Sequence, residues 1–127
     1  MYDLRWEYIT NHFDWFIDGL LLGLKMAVIA LAIGSVIGLV CAFIRASGKR
    51  WASLPVTIYV EIIRNVPLLL IVFLLYFGLP QAFAPRSAAH EWTLRLLPDA
   101  ERTFIVALAI YAGAYLTEIF TAGILSV

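Results

Sequence analysis

Few residues in this 127-residue chain could do chemistry, and those that could are charged groups set beside long apolar runs. Glu61 and Arg64 stand three apart in YVEIIRNVP, with Asn65 and Pro67 directly behind them, and Glu118 lies in the last apolar run. Residues at i and i+3 share one face of a helix, so Glu61 and Arg64 can pair. Exposed to water, such a pair contributes about 0–1 kcal/mol, whereas breaking a buried one costs roughly 3–5 kcal/mol. The pair is read either as a charge collar at the end of a span or as part of span packing and gating. An acid at position 118 is costly unless paired, hydrated or near an interface. Glu118 therefore either lines or supports a pathway or pairs with a base, or it marks the interface.

No nucleophile has a neighbouring base, no glycine-rich loop could cradle a phosphate, and His12 and His90 have no metal-ligand spacing. No catalytic residue, cofactor or metal is expected, and both histidines are expected to be solvated. The single Cys41 sits in an apolar run and is expected to be a small packing residue.

The elements that must position these groups are set by composition. Hydrophobic residues make up 63% of the chain and charged ones 14%, against about a quarter charged in soluble domains. The chain is thus expected to be an all-α integral membrane protein. Its formal net charge is zero, so nucleic-acid binding has no electrostatic support. The N-terminus, MYDLRWEYITNHFDWFIDG, is acidic where a secretory signal would be basic, and the apolar run behind it is too long for a signal core. That first hydrophobic segment is expected to stay in the mature protein. Tyr2, Trp6, Tyr8, Phe13, Trp15 and Phe16, interleaved with Asp3, Glu7, Asp14 and Asp18, suit a segment at the headgroup level.

Three transmembrane helices are predicted, over about 19–45, 54–79 and 103–125. The first carries Lys25 and then the uncharged run Met26 to Ile44, with small residues at every fourth position: Ala30, Gly34, Gly38 and Ala42. Such rows let helix backbones approach closely, since lipid offers no hydrophobic drive for association. The loop 45–54 holds Arg45, Lys49 and Arg50 without an acid, the mark of a cytoplasmic loop. Pro55 is expected in the first turn of the second helix, and Pro67 is expected to kink that helix and free the Ile63 carbonyl. The loop 80–102 balances Arg86, Arg95 and Arg102 against Glu91, Asp99 and Glu101, and can be translocated. Within it HEWTLRLL could form a short interfacial helix. The third helix has a small-residue cluster that includes Gly113. Alternation places the N-terminus outside and the C-terminus in the cytoplasm.

The run Tyr59 to Pro80, YVEIIRNVPLLLIVFLLYFGLP, resembles the second conserved span of the polar amino acid (His/Glu/Gln/Arg/opine type) permeases of bacterial ABC importers, usually close to YVELFRGTPLLVQLFFIYFGLP. AYLTEIFTAGILSV is similar to the family's AYxxEIxRGGIxSV. Asn65 stands where the family usually has Gly, and Thr121 where it usually has Arg. The resemblance covers essentially the whole chain but about half of a typical member. It implies a non-catalytic permease in the bacterial inner membrane that imports polar amino acids. The implied partners are a cytoplasmic ATP-binding subunit, a periplasmic amino-acid-binding protein and a second permease subunit, all in membrane lipid. It makes Glu61, Arg64, Asn65, Pro67 and Glu118 candidates for transport or gating. It also puts the ATPase-docking loop beyond Val127, so that a fragment, a truncated frame or a split subunit is expected. The alternatives are a small stand-alone carrier with Glu118 as its titrating group, or a structural assembly partner.

Overall fold

Two long helices frame the molecule, α2 (Phe13–Ala46) and α7 (Ala100–Leu125). They are seen in a computed structural model that describes residues 5–83, 85 and 87–127. Tyr2 and Asp3 of the N-terminal aromatic segment, Ala84 and Arg86 lie outside the described residues. Among the described residues every regular element is helical. At 1.5 Å per residue, the 34 residues of α2 and the 26 of α7 reach about 51 and about 39 Å, more than the roughly 30 Å of a hydrocarbon core. Both are apolar enough to cross a membrane, and a bent pair of helices between them is a third candidate. The chain is an all-α integral membrane protein.

α2 and α7 run parallel, because residues advancing along one meet residues advancing along the other. Lys25 Nζ meets Glu101 Oε1 at 3.0 Å near their N-terminal ends, and Arg45 Nη1 meets Glu118 Oε1 at 3.2 Å near the other. Between these ion pairs Ala30, Gly34, Gly38 and Ala42 are the buried residues of α2. The contact is too close for a side chain at the glycines. A Cβ on Gly34 would lie 2.9 Å from Ala112 Cβ, and one on Gly38 2.7 Å from Leu116 Cβ. Opposite this row α7 buries Ala107, Ala109, Gly113, Ala114, Thr117 and Thr121. The threonine hydroxyls need no partner on α2, since Thr117 donates to Gly113 O and Thr121 to Thr117 O, each at 2.6 Å.

The helix bounds follow local chemistry. α7 starts at Ala100, three residues before the expected Thr103, because Asp99 caps it: its Oδ1 accepts the Arg102 N–H at 2.8 Å. α2 starts at Phe13 and carries part of the aromatic segment on its first turns, behind the short α1 (Trp6–Asn11).

The expected kinked second helix is instead a full break. α3 (Arg50–Asn65) begins before Leu54, so Pro55 lies inside it rather than in its first turn. It stops at Asn65, because the residue before a proline is pushed out of the helical region, and Val66 is extended at φ −102°, ψ 130°. The carbonyl of Ile63 accepts the Val66 N–H at 3.4 Å. Pro67 then opens α4 (Leu68–Phe73), which passes into a π-helical turn, Leu74–Gly78, and α5 (Leu79–Ala82). The widened turn precedes Pro80, which has no N–H to give, and the Leu79 N–H bonds five residues back to Leu74 O. Residues 68–82 are bent 107° from α3.

α6 (Ala88–Leu96) follows, with Ser87 Oγ accepting the His90 N–H at 3.1 Å. Trp92, Leu94 and Leu96 are exposed and Leu97 is buried. His90 is not the solvated group expected: its Nδ1–H donates to Pro80 O at 2.9 Å and ties α6 to α5. His12 remains exposed, bonding the Tyr8 carbonyl at 2.9 Å.

Candidate functional site

One carboxylate joins three helices. Glu118 on α7 takes Arg45 from the end of α2 on Oε1 at 3.2 Å, and Arg64 from the end of α3 on Oε2 at 3.3 Å. The Arg64 guanidinium also sits over the Tyr115 ring, 5.5 Å from its centroid. Tyr115 and Glu118 are three apart and Tyr111 is four before Tyr115, so all three share one face of α7. The Tyr111 and Tyr115 hydroxyls lie 3.2 Å apart. The cluster carries two positive charges against one negative. Its side chains are part-exposed, 24% for Arg45, 41% for Glu118 and 45% for Arg64. That exposure places each pair toward the weak end of ion-pair energies, while the fork from one acid to two helices fixes geometry.

This corrects the expectation that Glu61 and Arg64 pair. Among the described residues Arg64 meets Glu118, and Glu61 makes no ion pair. The reason is helical phase. Arg64 lies one turn beyond Val60, which is fully buried, and so leans over the packed face, whereas Glu61 is exposed. Asn65 turns back on its own helix, its Nδ2 donating to Glu61 O at 2.7 Å. Pro67 lies at the break itself. Glu61, Asn65 and Pro67 therefore surround the joint without entering its ion pairs.

A second junction lies deeper in the bundle. Tyr59 donates its hydroxyl to Ile110 O at 2.5 Å. It reaches α7 because Gly113 leaves room: a Cβ there would lie 3.0 Å from the Tyr59 hydroxyl and 2.9 Å from Ile37 Cγ2. Gly113 is thus where α2, α3 and α7 meet. From Tyr59 at Ile110 to Arg64 at Glu118, contacts on α3 move toward the C-terminal end of α7. α3 therefore crosses its neighbour rather than running antiparallel to it.

The sequence reading missed Arg45 as a partner, because a basic residue after an apolar run reads first as a topology signal. Tyr59 carries no signal that separates it from an interfacial tyrosine.

The fold resembles that of a known transporter. The chain aligns over 99% of its length, at a TM-score of 0.78 and 31% identity, with a crystal structure of an amino acid ABC transporter with histidines, covering 53% of that chain. It is 41% identical over 119 residues, 94% of this chain and 50% of the relative, to a probable glutamine ABC transporter permease protein, GlnM, of Bacillus subtilis. It is 33% identical over 122 residues, 96% of this chain and 51% of the relative, to the glutamine transport system permease protein GlnP of Escherichia coli. This chain is a relative of the amino-acid ABC transporter permeases. It is also 34% identical to the octopine transport system permease protein OccM of Rhizobium radiobacter, over 87% of this chain and 44% of that permease. The chain spans about half the length of the curated permeases it matches. No family model matches it.

Proposed function

We propose that the chain belongs to the membrane permease of an ATP-driven importer of polar amino acids in the bacterial inner membrane. The observation that carries this reading is the likeness over nearly the whole chain, in sequence and in fold, to amino-acid ABC transporter permeases. On this reading the protein hydrolyses no ATP itself. A cytoplasmic ATP-binding subunit supplies the energy, a periplasmic binding protein delivers the amino acid, and a second permease subunit completes the pathway. The basic loop Arg45, Lys49 and Arg50 faces the cytoplasm and the segment 80–102 the periplasm. Spans of about 19–45, 54–79 and 103–125 then alternate across the bilayer, the second broken at Pro67.

The joint at Glu118 gives this reading a mechanical element. A movement imposed on the end of α7 would be felt at once by α2 through Arg45 and by α3 through Arg64, just before the break at Val66 and Pro67. Coupling between distant sites needs such an element, one whose arrangement both sites bias. A stand-alone carrier using Glu118 finds less support, because that carboxylate is engaged by two guanidiniums.

The test is uptake of labelled glutamine into proteoliposomes containing the protein as its own gene encodes it, the ATP-binding subunit and the binding protein. Uptake should require ATP and be lost when either partner is omitted. Uptake by the permease alone, without ATP, would overturn the reading in favour of a carrier.

A further inference from the structure

α3 has an outward face that no other described part of the chain covers. At about 100° per residue, Trp51 and Val60 point to opposite sides of the helix. Val56 and Val60 are buried against the bundle. On the opposite side Trp51, Leu54, Ile58 and Ile62, spaced i, i+3, i+7 and i+11, are exposed, Trp51 at 93%. Beside Trp51, at the start of this stripe, stand Lys49 and Arg50. Among the described residues neither makes an ion pair, and no acid lies between Arg45 and Val60 in the chain. An apolar stripe headed by an indole and two free cations is complementary to a lipid, acyl chains along the stripe and an anionic headgroup at its end.

We propose that Lys49, Arg50 and Trp51 form a binding site for the headgroup of an anionic phospholipid, whose acyl chains lie along Leu54, Ile58 and Ile62. The chemistry is specific on three counts. The two cations select a negative headgroup over a zwitterionic one. The indole, apolar in its body and polar at its N–H, sits at headgroup depth. The stripe is short, because the 107° break separates it from residues 68–82, so it fits a single lipid rather than a continuous bilayer-facing span. None of this depends on the importer reading, since the site is on the described surface of the chain whatever it transports.

The test is competition between phosphatidylglycerol and phosphatidylcholine for the protein in mild detergent, followed by native mass spectrometry. Phosphatidylglycerol should be retained preferentially. Lys49→Gln with Arg50→Gln should lower that preference about 25-fold, at roughly fivefold per basic residue near an anionic surface. Excess inorganic phosphate should not displace the lipid. A second measurement does not depend on that variant. With Trp6, Trp15 and Trp92 changed to Phe, brominated phosphatidylglycerol in nanodiscs should quench Trp51 more than brominated phosphatidylcholine does. An unchanged preference in the charge variant, displacement by free phosphate, or a Trp51 shielded from brominated lipid by another protein surface would each overturn the assignment.

Discussion

Gly38→Ala should destabilise the protein while Gly23→Ala should not, although both change the same residue on the same helix. A Cβ at position 38 would lie 2.7 Å from Leu116 Cβ and 3.1 Å from both the Leu116 carbonyl carbon and the Thr117 nitrogen. Carbon atoms pack best at about 3.5–4.0 Å, so α2 and α7 would have to part by close to 1 Å. Two of the three contacts are backbone, and no rotamer change relieves them. Overpacking of this kind costs about 1–3 kcal/mol. At Gly23 nothing lies within 4 Å. Each substitution also gains helix propensity, up to about 1 kcal/mol, and because both gain it, the gain cancels between them. The difference is then the packing cost alone, about 1–3 kcal/mol with Gly38→Ala the less stable. Reversible unfolding in detergent micelles, followed by circular dichroism, measures it. Equal stability of the two variants would refute the close parallel contact of α2 and α7.

One more expectation follows from a single contact and one from the basic loop 45–54. Tyr59→Phe removes the hydroxyl from Ile110 O and should cost about 0.5–1.5 kcal/mol in the same unfolding measurement; no loss would mean that the junction at Gly113 is held by packing only. With Cys41 replaced, Ser87→Cys should react with an impermeant thiol reagent outside intact spheroplasts and Ser47→Cys should not, and the reverse pattern would invert the proposed orientation.

Some of this was legible in the sequence for a physical reason. The row Ala30, Gly34, Gly38 and Ala42 repeats at helical period in a run with nothing else to vary, and these are the buried residues of α2. Composition marked the chain as a membrane protein, and the length of its uncharged runs made the spans helical. The motif around Glu61 and Arg64 pointed to the permeases. What local spacing could not show was which charges meet. Glu61 and Arg64 satisfy the i, i+3 rule, but the pairing is decided by Glu118, 54 positions beyond Arg64 by subtraction, and by the crossing of α3 over α7. Nor does a proline state how far it will turn a chain. At Pro67 the preceding residue left the helix altogether, and a kink became a break.

Glu118 as the joint of three helices is tested most directly by paired double-mutant cycles in the unfolding measurement. Arg64→Ala with Glu118→Ala should show a coupling of about 0.5–1 kcal/mol, the range for part-exposed ion pairs. Arg64→Ala with Glu61→Ala should add to within about 0.3 kcal/mol. Coupling between Glu61 and Arg64, together with strict additivity between Arg64 and Glu118, would contradict the joint.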